Sequence, residues 1–251
     1  MKDGERIDDL ELNSLVIIQD PKRFCFGMDA VLLSSYANAQ PSERVLDLCT
    51  GNGIVALLLS AKTDAAHITG LELLPENVDL ARRSIAMNGL GDRISIEEGD
   101  LMNAVERFGT GSFEVITCNP PYMKEGGGLT NEADAVTLAR HEVGISLDDI
   151  VEQASQLLKT KGRVYFVHRP YRLSELLVAM HAHGLEPKRM RMVQPYSDRK
   201  PNLVLVEGAK GARPFLEVEP TLVVYREKDI YTDETLAMYH KTDFSLAATE
   251  E

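Results

Sequence analysis

The chain predicts an α/β protein with a mostly parallel sheet covered on both faces by helices, and three observations carry that expectation. Short apolar runs of strand length, such as Arg44-Val45-Leu46-Asp47-Leu48 and Phe113-Glu114-Val115-Ile116-Thr117-Cys118, alternate with longer segments of helical pattern. A glycine turn, Gly51-Asn52-Gly53, releases the first of these runs into an apolar helix. At 251 residues and 44% apolar content, the chain can bury one sizeable core without dividing into two domains.

Residues 1–40 stand outside the alternation. Leu15-Val16-Ile17-Ile18 predicts a small strand, and Phe24-Cys25-Phe26-Gly27 leads into a helical stretch in which Asp29 either caps the helix or faces a ligand cleft. This extension is expected to pack over the cleft of the main domain, residues 41–239. Within that domain the pattern gives a strand at 44–48, a helix at 54–61, a strand at 67–73, a helix at 75–88 and a strand at 93–97. Pro75 suits a helix's first turn, where its missing N–H costs nothing. The strand at 113–118 is followed by a loop carrying Gly126-Gly127-Gly128, a feature that permits closure over a site. A helix at 147–158 has Ser146 as its cap, with Asp148 and Asp149 in the favourable first turn. A strand at 163–168, a helix at 171–183 and an antiparallel pair at 188–193 and 202–207 complete about seven strands. Residues 240–251 are polar and aperiodic and read as a flexible tail.

The formal charge of −12 argues against general, nonspecific nucleic-acid binding but leaves room for a local basic patch. Lys188, Arg189, Arg191, Arg199 and Lys200 are the candidates, with a solvated rim as the plain alternative. Cys25, Cys49 and Cys118 form neither a paired framework nor a metal-ligand spacing and suit a reducing compartment. Cys49 and Cys118 lie in or beside apolar strands, where burial is the expectation. No metal site is expected, since His168, His181 and His183 form no ligand motif. No apolar run reaches membrane-spanning length and the amino terminus is too polar for a signal peptide, so a cytoplasmic protein is expected.

The segment Asn119-Pro120-Pro121-Tyr122 ends the strand at 113–118. Two consecutive prolines can continue neither a ladder nor a helix, so a rigid loop must follow. Such a corner offers a carbonyl, a side-chain amide and an aromatic ring to one small planar group. Upstream, Asp47 to Gly53 is a strand followed by a glycine-rich turn and a helix, and open parallel sheets bind ligands beyond their strands' carboxyl ends. Glu72, ending the next strand, is placed to hold both hydroxyls of a ribose. A dinucleotide competes as the ligand, but Gly51-x-Gly53 lacks the third glycine and Asp47 would face a phosphate. A cationic, amino-acid-bearing cofactor, S-adenosylmethionine, fits better. Asp100, after Gly99, reads either as a turn cap or as an acceptor for an adenine amine.

Together Asp47 to Gly53, Glu72, Gly99-Asp100 and Asn119 to Tyr122 resemble the class I S-adenosylmethionine-dependent methyltransferases that modify planar nitrogens. That resemblance implies a Rossmann-like fold with a seven-stranded, mostly parallel sheet and an antiparallel final strand. The cofactor set would then comprise Asp47, Cys49, Gly51 and Gly53, joined by Glu72 and Leu73, by Asp100 and Leu101, and by Asn119. In-line transfer to an amine requires mainly alignment. Asn119 and Pro120 can accept the two amine hydrogens as charge develops, and Tyr122 can stack on the base, an interaction of about 1–3 kcal/mol. A base in a duplex would have to be flipped to reach this corner.

The tetrapeptide is shared by enzymes acting on adenine N6, cytosine N4 and glutamine N5. A narrower match lies in the run Phe24 to Leu33, in Ala139-Arg140-His141-Glu142 and in the span Val164 to Pro170, all of which resemble the tRNA1(Val) adenine-37 N6-methyltransferase family. The likeness runs from about residue 10 to Tyr225. It implies an anticodon-loop adenine of tRNA as acceptor, with Phe26, Pro121, Tyr122, Arg140 and His141 on the substrate side. N5-glutamine methylation of release factors, or amine methylation of another nucleic acid, is the alternative. No segment indicates an oligomer.

Overall fold

The computed structural model describes residues 1–23, 25–120 and 145–240. An antiparallel hairpin of β1 (Arg6–Asp9) and β2 (Val16–Gln19) opens the chain, followed by α1 (Met28–Tyr36). Next come β3 (Arg44–Leu48), α2 (Ile54–Lys62), β4 (His67–Glu72), α3 (Pro75–Met87), β5 (Ile94–Glu98), α4 (Ala104–Phe108) and β6 (Phe113–Cys118). The second half holds α5 (Leu147–Leu157), β7 (Leu158–His168), α6 (Leu173–Ala182), β8 (Leu185–Gln194), β9 (Leu203–Lys210) and β10 (Glu217–Val223). A small pair, β11 (Tyr225–Glu227) and β12 (Ile230–Tyr231), then leads to α7 (Asp233–His240).

Eight strands form the central sheet in the order β10-β8-β9-β7-β6-β3-β4-β5. All neighbours are parallel except β9, which runs antiparallel between β7 and β8. The seven expected strands and the antiparallel strand are present, and β10 adds an eighth at the edge. Alternation along the strands divides the interior into two layers. Val45, Val115, Tyr165 and Val167 point towards α1, α2 and α3, whereas Leu46, Leu48, Ile116, Val164 and Phe166 point towards α5 and α6.

Local sequence explains the element ends. The Ser146 hydroxyl accepts the Asp149 N–H at 3.1 Å while the Asp149 carboxylate accepts the Ser146 N–H at 2.7 Å, a reciprocal cap that starts α5. Pro75 occupies the first turn of α3. The hairpin lies along α3: the Ile18 N–H donates to the Ser84 hydroxyl at 3.0 Å, and the Asn88 side chain exchanges hydrogen bonds with the Val16 backbone at 2.9 and 2.7 Å. Asp29 does not cap α1. Gly27 holds that position, and the Asp29 carboxylate, inside the first turn, accepts the Ala30 N–H at 2.9 Å.

The five candidate basic residues do not form one patch, because carboxylates on other elements neutralise Arg189 and Arg191 and a backbone carbonyl holds Lys188. Arg189 donates to Glu207 at 2.9 Å, to Glu219 at 3.0 Å and to the Tyr36 carbonyl at 3.1 Å, with its guanidinium 4.1 Å from the Tyr36 ring centroid. Arg191 donates to the Pro220 carbonyl at 2.8 Å and to Glu234 at 2.5 Å. Lys188 donates to the Arg213 carbonyl at 3.0 Å. Arg199 and Lys200 stand apart from these on the exposed loop between β8 and β9.

Candidate active site

The sheet changes direction at β3. The chain adds β4 and β5 outward on one side and then returns to place β6 on the other, which opens a crevice beyond the carboxyl ends of β3 and β6. The turn leaving β3 is held in left-handed backbone at Cys49 (φ 58°), Gly51 (φ 58°) and Gly53 (φ 83°). The two glycines serve different ends. A Cβ on Gly53 would sit 3.0 Å from the Ala81 Cβ, so this residue lets the turn pack on α3. A Cβ on Gly51 would meet nothing within 4 Å, so that residue faces open space. Thr50 fastens the turn to β4 by donating its N–H to the Leu71 carbonyl at 3.0 Å.

Three carboxylates stand around this turn. Asp47 is 1% exposed; its Oδ1 accepts the Thr117 hydroxyl at 2.7 Å, and its Oδ2 is buried without a partner among the described residues. Burial pushes its pKa up to about 7, against the Thr50 and Thr117 hydroxyls, which lower it, and with help from the Glu72 charge. Glu72, 3% exposed, accepts the Gly51 N–H on Oε2 and the Leu74 N–H on Oε1, each at 2.9 Å. It therefore braces the glycine turn, and its remaining lone pairs can still take hydroxyl donors. Asp100 is half-buried and accepts the Met102 N–H at 2.9 Å, so its turn-capping role is realised.

Cys49, Glu72, Leu73 and Leu101 line one shallow cleft with Leu71, Gly99 and Ile145. Four residues predicted from sequence to touch a cofactor thus share one wall. The Asn52 side-chain oxygen and nitrogen, in the glycine turn, are buried without partners among the described residues, like Asp47 Oδ2. Orphaned buried polar atoms are costly unless a ligand or water completes them. A zwitterionic amino-acid group with a ribose fits this donor and acceptor set.

Asn119 and Pro120 follow β6, and the pairing of Leu48 with Cys118 sets them beside the turn that starts at Cys49. Asn119 is half-buried and Pro120 buried. Pro121, Tyr122, Arg140 and His141, together with Gly126 to Gly128, lie outside the described residues, as do Phe24 and residues 241–251 of the predicted tail. Phe26 is half-buried, packs against the α1–α2 side of the core and donates its N–H to Gln19 at 3.0 Å. Cys118 is buried, and burial followed by the neighbouring Cys49 pushes its thiol pKa up; Cys49 itself is half-buried. His168 is buried at the end of β7, where its Nδ1 accepts the Arg169 N–H at 2.7 Å and desolvation lowers its pKa to about 4. His183 pairs with Asp148 at 3.1 Å and exposed His181 with Glu186 at 3.6 Å. Among the described residues, no group of His, Cys, Asp and Glu is arranged to hold a metal.

Sequence reasoning missed Thr117, Asn52 and Gly70. Thr117 meets Asp47 because the two are register partners across β6 and β3. A Cβ on Gly70 would lie 2.7 Å from Ile96 and 2.8 Å from Thr50, so the missing side chain makes room for the turn. The signal for Thr117 and Gly70 is the register of neighbouring strands, whereas Asn52 sits in the local glycine run and shows itself only through its burial.

Comparisons with known proteins agree with this geometry. The family described as "Methyltransferase small domain" matches residues 26–181. The tRNA1(Val) (adenine(37)-N6)-methyltransferase of Porphyromonas gingivalis is 28% identical over 236 residues, covering 88% of this chain and 91% of that protein. Its counterpart from Mannheimia succiniciproducens is 30% identical, with 84% of each chain covered. Among solved structures, a predicted O-methyltransferase from Agrobacterium tumefaciens superposes with a TM-score of 0.68 at 22% identity, over 84% of this chain and 95% of that one. A putative transferase from Pyrococcus horikoshii does so at 0.59 and 14% identity, over 84% and 74%. These two share the fold.

Proposed function

Because the chain belongs to the methyltransferase small-domain family and, within it, to the tRNA1(Val) (adenine(37)-N6)-methyltransferases, we propose that it methylates N6 of adenine 37 in that tRNA, using S-adenosylmethionine. The observation that carries the reading is the register of β3 with β6, which sets the start of the Asn119-Pro120 corner beside a glycine turn flanked by Asp47 and Glu72. S-adenosylmethionine supplies an electrophilic methyl group on a sulfonium centre.

In this reading the chain's residues bind and align. Asp47 Oδ2, in its ionised form, takes the cofactor's ammonium group, and the turn with Gly51, Asn52 and Gly53 admits the methionine portion. Glu72 accepts the ribose hydroxyls while still bracing Gly51. Leu73, Leu101 and Cys49, which line the cleft, would hold the adenosine part, and Asp100 beside them would accept the adenine amine. On the acceptor side, the Asn119 side-chain oxygen and the Pro120 carbonyl accept the two N6 hydrogens, which favours a pyramidal nitrogen as positive charge develops. Tyr122 stacks on the base, and Phe26, Pro121, Arg140 and His141 serve the substrate side. No general base is needed before transfer, because the ammonium product is acidic and loses its proton afterwards.

Three free cysteines and an RNA substrate favour the cytoplasm, and among the described residues no helix is long and apolar enough to cross a membrane. The test uses tritiated S-adenosylmethionine with total tRNA and, separately, with release factors. Label in N6-methyladenosine, lowered at least about 100-fold in the folded Asn119→Ala variant, is expected. Label in N5-methylglutamine instead would overturn the assignment.

A further inference from the structure

In a chain of net charge −12, positive charge collects at one place on the carboxyl rim of the sheet. Because β9 is antiparallel to both β7 and β8, the pairings His168 with Val204 and Val193 with Leu203 bring the end of β7 and the β8–β9 loop to the same rim as Asn119. The turn after β7 reads Arg169-Pro170-Tyr171-Arg172, and the loop reads Tyr196-Ser197-Asp198-Arg199-Lys200-Pro201-Asn202. These two segments carry four cations against the single carboxylate of Asp198. One bond ties the two segments together, from Arg169 to the Asn202 carbonyl at 3.1 Å. Within the loop the Arg199 N–H donates to the Tyr196 carbonyl at 3.0 Å, and the Tyr196 ring leans on Tyr225 with centroids 5.5 Å apart.

The orientation of the charges suits a polyanion. The Arg199 side chain is 70% exposed, and its contact with Asp198, at 3.8 Å, is loose. Lys200 is exposed as well. Arg172 is the exception, since the Glu175 carboxylate accepts its Nε at 2.8 Å and offsets its charge. Tyr171 is 48% exposed between the two arginines. With strands about 4.8 Å apart, β7 lies one spacing from β6 and β8 three, so the rim runs from about 5 to about 15 Å from the Asn119 corner. That is the reach of the nucleotides flanking a base flipped into the corner.

We propose that residues 169–172 and 196–202 form the RNA-docking surface of this enzyme, with Arg169, Arg199 and Lys200 on the phosphates flanking the target base and Tyr171 as a stacking face. This assignment rests on the tRNA reading above. Phosphate contacts release counterions, with a slope in log affinity against log salt of about 0.9 per phosphate on a duplex and about 0.7 on a single strand. Base stacking tolerates any sequence, which suits a single exposed tyrosine.

The test compares wild type, Arg199→Ala/Lys200→Ala and Lys200→Glu with Lys188→Glu, which makes the same charge change towards the other end of β8. Methylation of total tRNA and tRNA binding between 50 and 200 mM salt are measured. The rim variants are expected to raise KM for tRNA about tenfold or more, with kcat at saturating tRNA and affinity for S-adenosylmethionine unchanged. The double variant should flatten the salt slope by roughly 1.4 to 1.8, and Lys188→Glu should behave as wild type. Wild-type activity on tRNA combined with rim variants of unchanged KM and slope would overturn the docking surface and leave the function standing. A wild type that labels a protein and no tRNA would overturn both.

Discussion

Replacing Asp47 with asparagine should stabilise the cofactor-free protein at pH 8 far more than at pH 5. Asp47 is 1% exposed on a strand whose neighbours are apolar, and burial lifts its pKa from 3.8 to about 7. The folded protein therefore holds this proton to a higher pH than the unfolded chain does. By linkage, the contribution of a group with a raised folded-state pKa is most favourable at low pH and is lost as pH climbs from about 4 through about 7. The full effect corresponds to about 4 kcal/mol above pH 7, of which roughly 2 kcal/mol is already incurred at pH 5. Asparagine cannot ionise and avoids this loss, while its side-chain oxygen still accepts the Thr117 hydroxyl. Urea denaturation of both proteins at pH 5 and pH 8 should show the stability gap widening by about 2 to 3 kcal/mol. A gap that is the same at both pH values would refute the buried, proton-holding carboxyl.

The same group links pH to the cofactor. If an ammonium group ionises Asp47 on binding, affinity falls as pH drops below about 7, and binding near pH 6 releases a proton that calorimetry in buffers of different ionisation enthalpy detects. Asp47→Asn should bind weakly and without that proton.

Glu72→Ala removes the acceptor for the Gly51 and Leu74 N–H groups as well as the ribose partner. Affinity for S-adenosylmethionine by calorimetry should fall at least about 100-fold, with stability lower by about 2 kcal/mol; unchanged affinity would remove Glu72 from the site. Gly70→Ala drives a methyl group to 2.7 Å from Ile96 and 2.8 Å from Thr50. A loss of about 1–3 kcal/mol in denaturant unfolding is expected, and weaker cofactor binding should accompany it because Thr50 anchors the turn.

What the sequence made legible follows from how local each feature is. The strand Phe113–Cys118 could be placed to the residue, since a parallel strand buried on both faces is a continuous apolar run ended here by Asn119-Pro120. The start of α5 was equally legible, because Ser146 and Asp149 satisfy each other within one turn. The edge strand β10 was not. Glu217 and Glu219 alternate with exposed Val218, and Pro220 interrupts the run, a composition that an edge tolerates and a central strand does not. Which of the basic candidates are paired was not legible, for a related reason. Strand alternation gives the faces on which Arg189 and Arg191 lie, but the carboxylates that take them come from Glu207, Glu219 and Glu234, on other elements.

Asp47 shows where a purely local reading becomes informative by failing. A carboxylate inside Val45-Leu46-Asp47-Leu48 contradicts the apolar demand of a central parallel strand, and natural sequences break such rules at functional sites. The structure gives that conflict a physical form, with one oxygen bonded to Thr117 and the other buried without a partner among the described residues. The chain thus carries a costly buried carboxyl at the mouth of its glycine turn, and under the proposed function the cofactor's ammonium group would compensate it. Glu72 has no such conflict, since two backbone amides already satisfy it. Under the proposed function the two acids divide the work: Glu72 already shapes the turn by accepting the Gly51 N–H, whereas Asp47 Oδ2 would gain its partner from the cofactor's charge.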